Sequence, residues 1–159
     1  MIDSNEIKFM QEAIRISVAN VTEGKGGPFG AVVVKDGEII ARGANSVTTT
    51  NDPTAHAEVI AIRNACNVLN TFQLDGCEIY TSCEPCPMCL GAIYWARPDK
   101  LYYANSKEDA AAIKFDDQFI YEEIAKPVGE RKLFTKQLLR SEAMEAFIKW
   151  DDSNLKTDY

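Results

Sequence analysis

Apolar residues recur every three or four positions near the start of the chain, between residues 5 and 22. The recurring side chains are those of Ile7, Met10, Ala13, Ile14, Val18 and Val21. This spacing places them along one stripe of a helix. The glycine-rich run GKGGPFG that follows, at residues 24–30, favours an end to the helix. We therefore predict an amphipathic helix over residues 5–22.

The pattern changes at residues 29–45, where two β-rich runs flank Asp36-Gly37 in FGAVVVKDGEIIARGAN. Asp-Gly between two such runs is a strong local signal for a tight hairpin turn. A polar loop, SVTTTNDPT, follows at residues 46–54. Residues 29–45 are therefore predicted to form the first two strands of a sheet, paired antiparallel.

Helical and strand patterns then alternate along the chain. AHAEVIAIRNACNVL (55–69) and PCPMCLGAIYWAR (85–97) have helical patterns, whereas CEIYTS (77–82) and KLYYAN (100–105) are typical of strands. Such alternation predicts a sheet covered by helices, with parallel pairing wherever a helix makes the crossover. Further on, we predict a last strand at RKLFTKQLL (131–139) and a final helix at EAMEAFIKW (142–150), before a polar tail at residues 151–159.

Length and composition indicate one ordinary globular domain spanning residues 1–159. A chain of 159 residues can bury its own core, and 46% hydrophobic with 26% charged residues is usual for such domains. No apolar run approaches the roughly 18 residues of a membrane span, and the start MIDSNEIKF lacks the features of a secretory signal. We expect a cytoplasmic protein with no membrane partner.

Charge and cysteine content narrow the possible partners further. The formal net charge is −7, and no dense Lys/Arg cluster is present, so nucleic acid is not an expected partner. Five cysteines in a chain expected to be cytoplasmic favour metal binding over disulfides, because thiols stay reduced there.

The cysteines with metal-ligand spacing are Cys86 and Cys89, at the start of a predicted helix whose dipole favours thiolate. A CxxC pair alone also fits redox chemistry. His56, the single histidine, starts another predicted helix after a strand. Helix starts of neighbouring strand–helix units meet at one sheet edge, so the three side chains are predicted to converge on a metal.

One histidine and two cysteines leave a fourth tetrahedral position for water, the arrangement of a catalytic zinc site. Zinc can lower the pKa of that water to about 7. Glu58, two residues after His56, is predicted to reach back over the helix end and carry protons. Cys83 is an alternative ligand or disulfide partner by spacing, but we predict a free thiol there; Cys66 and Cys77 are predicted to be small buried side chains.

Together, HAE at residues 56–58 and PCPMC at residues 85–89 match the H-x-E…P-C-x-x-C signature of zinc-dependent nucleobase and nucleoside deaminases. The chain resembles this family over almost its whole length. The resemblance implies an α/β, cytidine-deaminase-like three-layer sandwich, with a central five-stranded mixed sheet and helices on both faces. It also implies one Zn²⁺ per chain and a homodimer.

Longer runs, namely GGPFGAVVV, NDPTAHAEV, YTSCEPCPMCLGAIYWAR and FDDQFIY, resemble the guanine deaminase branch of that family as bacteria have it. This resemblance implies a purine base as the substrate and hydrolysis of guanine to xanthine as the reaction. It assigns base-binding roles to Phe29, Asn45, Ala57, Trp95, Asp117 and Tyr159. It also implies that Asp117 helps to move protons, with Asp116 as the adjacent alternative.

The C-terminal tail is the last segment to which the resemblance assigns a role. The resemblance implies that the tail, about residues 151–159, is swapped onto a partner subunit, where Tyr159 closes over the site.

Three other functions remain as alternatives. A tRNA adenosine deaminase shares both ligand motifs, but its substrate would demand a basic face. A deaminase of cytosine or another aminopurine shares them too. A zinc scaffold without catalysis would need a fourth protein ligand and would leave Glu58 without a use.

Overall fold

A mixed four-stranded sheet lies at the centre of the computed structural model, which describes residues 4–159. Its strands are β1 (Gly30–Lys35), β2 (Glu38–Ala44), β3 (Cys77–Cys83) and β4 (Lys100–Asn105), in the order β2-β1-β3-β4. β1 pairs antiparallel with β2 and with β3, and β3 pairs parallel with β4. The parallel pair is the one whose connection contains a helix, as the alternating pattern predicts.

The helices are α1 (Ser4–Thr22), α2 (Val47–Thr50), α3 (Ala57–Leu69), α4 (Pro87–Ala96), α5 (Lys107–Ala112), α6 (Gln118–Ala125) and α7 (Arg140–Asp151), with a 3₁₀ turn at Val128–Glu130. The helices predicted at residues 5–22, 55–69, 85–97 and 142–150 are all confirmed, with ends that differ by two residues at most.

Helices cover both faces of the sheet, as expected for a three-layer sandwich. Strand alternation divides β1 between two buried clusters, because successive side chains point to opposite faces. Val32 and Val34 pack on one side with Phe9, Ala13 and Ile16 of α1. On the other side, Ala31 and Val33 pack with side chains that include Ala57, Ala61 and Ala65 of α3 and Ile93 and Ala96 of α4.

The face that α1 buries is not the large apolar stripe seen in the sequence. Its buried residues are Phe9, Ala13, Ile16, Ser17 and Asn20, whereas Ile7, Ile14, Val18 and Val21 are exposed. The buried face lies close to β1 at Gly30, where a Cβ would lie 2.5 Å from the carbonyl oxygen of Ala13. This face also buries the large side chains of Phe9 and Ile16, and its polar side chains, Ser17 and Asn20, are satisfied by hydrogen bonds.

The predicted hairpin between β1 and β2 is confirmed. Asp36 and Gly37 have φ of 50° and 76°, as a two-residue turn with both central residues left-handed requires.

The expected fifth strand is absent from residues 4–159, and the prediction of a strand at residues 131–139 was wrong. Leu133 and Phe134 are strongly exposed there, and Leu139 has a left-handed φ of 51°. A strand needs a neighbour for its backbone N–H and C=O groups, and residues 131–139 belong to none of the four strands of the sheet.

The chain divides into two compact units, a core unit that extends to Asp117 and a C-terminal unit, Gln118–Tyr159. The core unit contains the sheet and both buried clusters. The C-terminal unit contains α6, the 3₁₀ turn and α7. The prediction of a single domain over residues 1–159 stays a prediction. None of the described helices is both long and apolar enough to cross a membrane.

Candidate active site

A tight turn before α3 delivers His56. The Asp52 carboxylate accepts hydrogen bonds from the backbone N–H and the hydroxyl of Thr54, at 2.8 and 2.7 Å. This is the turn chemistry that Asp offers to its own backbone. Ser46 N–H then donates to the carbonyl of Ala55 at 2.9 Å. His56 follows as the N-cap of α3 in extended conformation, and its side chain makes no cap hydrogen bond.

Cys86 occupies the equivalent position on α4. It is the N-cap, also extended and without a side-chain cap bond, and Pro87 begins the helix behind it. Proline suits this position because its fixed φ is helical and its missing N–H would have no helical partner. Cys89 lies in the first turn and is fully buried. Both motifs therefore place their ligand side chains at a helix N-terminus, where the dipole favours negative charge.

These two helix starts meet as predicted, although the strands before them are not neighbours. β2 and β3 run in the same direction because each is antiparallel to β1, which lies between them. The connections that follow β2 and β3 consequently leave from the same edge of the sheet. β1 lies between β2 and β3, but the starts of α3 and α4 still lie at the same end of the strands.

The donor atoms of His56, Cys86 and Cys89 converge to within 4.8 Å of one another. His56 Nδ1 lies 3.6 Å from Cys86 Sγ and 3.4 Å from Cys89 Sγ. Tetrahedral zinc, with bonds of about 2.3 Å to sulfur and about 2.0 Å to nitrogen, separates such ligands by about 3.6 Å. The three side chains therefore fit a zinc ion. Among residues 4–159, they form the one group of at least three His, Cys, Asp or Glu side chains whose ligand atoms lie close enough together to hold a metal ion.

The two thiols of this group differ in acidity. The pKa of Cys86 is lowered to about 4, chiefly because it accepts a hydrogen bond from Cys89 and also because it contacts His56. The same bond and burial raise the pKa of Cys89. The contact with Cys86 raises the pKa of His56. Cys86 is thus set up as a thiolate, the form in which cysteine binds metal.

Glu58 lies in the first turn of α3, beside this group. It is only 6% exposed, and burial raises the pKa of its carboxyl group. Its carboxylate also interacts with the Cys89 thiol. A buried carboxyl group with a raised pKa suits a proton carrier near neutral pH. The position agrees with the predicted reach of Glu58 toward the metal group.

Cys83 lies outside the metal group. Its thiol donates to the carbonyl of Ser106 at 3.5 Å, and burial raises its pKa to about 11. All five cysteines are free, Cys77 buried and Cys66 partly so. These contacts support the prediction that Cys83 is a neutral thiol and not a fourth ligand.

Asn45 is held tightly next to the turn that carries His56. It is 7% exposed, and its Oδ1 accepts from the backbone N–H groups of Gly27 and Val47, both at 3.4 Å. The backbone N–H of Asn45 donates to the carbonyl of Phe29 at 3.1 Å. With Oδ1 engaged twice by backbone donors, the amide nitrogen Nδ2 is the atom left for a ligand.

Phe29 and Asp117 are linked by a residue that sequence reasoning did not assign, Phe115. The rings of Phe29 and Phe115 pack edge to face, with centroids 5.0 Å apart. Asp117 follows two residues later; it is half-buried, and burial raises its pKa. Its charge acts on both His56 and Cys86, which places it near the metal group. Asp116 is exposed.

The remaining predicted base-binding residues differ in exposure. Ala57 is fully buried behind His56, whereas Trp95 of α4 is 64% exposed. Tyr159 belongs to the C-terminal unit and is 67% exposed. The roles of all six residues in base binding, Phe29, Asn45, Ala57, Trp95, Asp117 and Tyr159, stay predictions.

Gly43 of β2 is a residue that sequence reasoning missed. A Cβ there would lie 2.0 Å from the carbonyl oxygen of Ala57 and 2.6 Å from the nitrogen of Ala61. Glycine therefore lets α3, and with it His56 and Glu58, approach the sheet. A glycine inside a strand is a general signal of such close approach, although it does not name the partner.

The family is now defined by comparison as well as by geometry. Residues 3–105 match the family model for the zinc-binding region of cytidine and deoxycytidylate deaminases. The chain belongs to this family, which confirms the predicted fold class.

Individual proteins within this family are also similar to the chain. The chain is 56% identical to a guanine deaminase of Bacillus subtilis (strain 168) over 155 residues, which cover 98% of this chain and 99% of that protein. The X-ray structure of a Bacillus subtilis guanine deaminase superposes with a TM-score of 0.94 at 54% identity, covering 99% of both chains. A tRNA-specific adenosine deaminase of Aquifex aeolicus (strain VF5) is 51% identical over 77 residues, 48% of this chain and 51% of that protein.

Proposed function

We propose that this chain hydrolyses guanine to xanthine and ammonia, using one Zn²⁺ held by His56, Cys86 and Cys89. The observation that carries the proposal is the convergence of His56 Nδ1 and two thiols beside the buried Glu58. The substrate is inferred from the 56% identity to a guanine deaminase over nearly the whole chain. The tRNA deaminase matches over about half of the chain, and the net charge of −7 does not favour an RNA substrate.

His56, Cys86 and Cys89 would hold the zinc ion, which would supply an activated water as the nucleophile. Glu58 would take one proton of the attacking water and deliver it to a ring nitrogen of the base. It would then take the remaining proton from the hydroxyl newly bonded to the ring carbon and pass it to the amino group, so that ammonia leaves and the ring carbon becomes a carbonyl. Burial keeps the pKa of Glu58 above its usual range, so the group can both accept and return a proton near neutral pH.

Asn45 and Asp117 orient the base. Asn45 offers the Nδ2 donor, since Gly27 and Val47 occupy its oxygen. Guanine carries acceptors at N7 and O6 that match such a donor. Asp117 accepts from ring or amino N–H groups, and Phe29, held by Phe115, provides an aromatic surface for the purine. Ala57 and Trp95 complete the proposed binding set.

The C-terminal unit supports a homodimer. None of its residues is buried, although it carries large apolar side chains. These are Phe119, Ile124, Val128, Leu133, Phe134, Leu138, Leu139, Phe147, Ile148, Trp150, Leu155 and Tyr159. Apolar surface of this extent is usual at protein interfaces. We propose that a second copy of the chain covers this apolar surface and that the tail brings Tyr159 to the partner's site.

We also propose that the chain forms a single domain and acts in the cytoplasm.

Ammonia release tests the substrate directly. Purified, zinc-loaded protein is incubated in parallel with guanine, adenine, cytosine and their nucleosides, and ammonia is measured for each. We expect turnover with guanine and one xanthine per ammonia. Turnover of adenine or cytosine with guanine inert would keep the deaminase chemistry and overturn the substrate assignment.

A further inference from the structure

Asn20 is a buried side chain of α1 that makes hydrogen bonds to two separate loops. It is 4% exposed, and its Nδ2 donates to the carbonyl of Gly27 at 2.8 Å and to the carbonyl of Asn45 at 2.9 Å. Both protons of the amide are therefore used. The first loop leads into β1 and carries Phe29, and the second follows β2 and carries Asn45.

The two loops are also bonded to each other around this amide. Gly27 N–H donates to Asn45 Oδ1, and Asn45 N–H donates to the carbonyl of Phe29. The space is filled: a Cβ at Gly26 would lie 2.2 Å from the carbonyl oxygen of Asn45 and 2.9 Å from Asn20 Nδ2. Asn20 is thus the side chain through which the helix fixes both loops.

We propose that Asn20 is a positioning residue for guanine binding, which acts by holding Asn45 with its Nδ2 toward the base. This inference rests on the proposed function. Asn20 bonds the backbone carbonyl of Asn45, so the Asn45 side chain stays available to the ligand. Loss of Asn20 should leave the zinc content unchanged, because the starts of α3 and α4 position His56, Cys86 and Cys89.

The test compares Asn20→Ala with Ser17→Ala in the zinc-loaded, full-length protein. Ser17 lies one turn earlier on the same buried face, but its hydroxyl donates to the carbonyl of Ile14 within its own helix. For Asn20→Ala, we expect KM for guanine to rise about 10- to 100-fold, with kcat changed less than about threefold and zinc content unchanged; such a split indicates lost binding and not lost chemistry. Ser17→Ala should leave KM within about twofold.

A double variant separates positioning from general destabilisation. If Asn20 acts through Asn45, adding Asn20→Ala to Asn45→Ala should raise KM less than about threefold beyond Asn45→Ala alone. Independent, multiplicative effects on KM would overturn the proposal. So would an equal fall in kcat for Asn20→Ala and Ser17→Ala. If Asn20→Ala does not fold, Asn20→Ser, which keeps one donor, is measured in its place.

Amide hydrogen exchange gives a readout that needs no substrate. In Asn20→Ala, the peptides covering residues 23–30 and 45–47 should exchange faster than in the unmodified chain, whereas α3 and β3 should keep their protection. Ser17→Ala should change neither loop. Unchanged loop exchange in Asn20→Ala would refute the positioning role. If the unmodified chain proved inert toward guanine, that result would count against the proposed function, and the exchange comparison would still decide whether Asn20 holds the loops.

Discussion

The two compact units of the chain differ in how they treat their apolar side chains. In the core unit, valines, alanines and aromatic residues fill two buried clusters on the faces of the sheet. In the C-terminal unit, no residue is buried, and Phe134 is 86% exposed. The core unit contains the candidate metal group, His56, Cys86 and Cys89. The difference indicates that substitutions in the core unit should affect metal, chemistry and stability, whereas those in the C-terminal unit should affect association.

The largest expected effect is on metal content. Cys86→Ser should reduce zinc from about one ion per chain to near none and abolish deamination, because Cys86 is a proposed ligand whose lowered pKa favours the thiolate. Metal analysis of the purified protein checks this. Cys83→Ser is the matched control, since that thiol contacts Ser106, and it should keep the metal. Loss of zinc in Cys83→Ser but not in Cys86→Ser would reverse the ligand assignment.

Glu58→Gln should lower turnover by about 10²- to 10⁴-fold, the usual contribution of a positioned proton carrier. Zinc content should stay at about one per chain, because Glu58 is not in the ligand group. Steady-state rates and metal analysis on the same sample measure both quantities. Turnover close to that of the unmodified chain would remove Glu58 from the mechanism.

Phe134→Asp tests the C-terminal unit. In a single chain, a side chain so exposed contributes little to stability. If a second copy covers it, the substitution should weaken dimerisation by about 2 kcal/mol or more and leave zinc binding intact. Sedimentation should show the unmodified protein at about twice the chain mass of 17.7 kDa. Lys136→Ala, an exposed neighbour, is the control; a monomeric unmodified protein would contradict the dimer.

Gly43→Ala should reduce the free energy of unfolding by about 1–3 kcal/mol, the usual cost of overpacking. The added methyl group would meet the Ala57 carbonyl oxygen 2.0 Å away. Gly91→Ala provides the contrast, because a Cβ there meets nothing within 4 Å and the residue lies inside α4. That variant should gain up to about 1 kcal/mol. Urea unfolding measures both, and equal effects would mean that the approach of α3 is not tight.

The smallest expected effect concerns acid stability. Glu12 accepts from Arg15 and Arg42 at 2.7 and 2.8 Å, and these bonds lower its pKa from 4.5 to about 2. A depressed carboxyl pKa stabilises the fold above about pH 4.5, and this contribution is lost as the pH falls toward 2.

Glu12→Gln should therefore lower the free energy of unfolding by about 1 kcal/mol at pH 7, after allowance for solvent screening. The difference from the unmodified chain should vanish near the folded pKa of about 2. Glu23→Gln, at the exposed pair with Lys25, should have a smaller effect. A difference between Glu12→Gln and the unmodified chain that did not depend on pH would refute this account of Glu12.

Local signals in the sequence predicted most of the core unit. Asp36-Gly37 specifies its hairpin, and the HAE and PCPMC runs each begin a helix, where His56, Cys86 and Cys89 come together as a candidate metal group. Contacts between distant residues were not predictable in this way. Asn20 is an ordinary polar residue of a helix until packing places it against Gly27 and Asn45, and Gly43 reveals close approach but not to which helix.

The same limitation explains the errors. In α1 the apolar residues Ile14 and Val18 suggested the buried face, but the face that meets β1 at Gly30 carries Ala13, Ile16 and Ser17. In residues 131–139 the apolar pattern suggested a strand. A strand also requires a neighbouring edge, which local sequence does not describe.

The central claim is that one zinc ion at His56, Cys86 and Cys89 supports guanine deamination. The most direct measurement is the rate of xanthine formation as zinc is added back to metal-free protein. We predict a rate that rises in proportion to bound zinc and becomes constant at one ion per chain. Full activity in the metal-free protein, or no xanthine at one zinc per chain, would contradict the account.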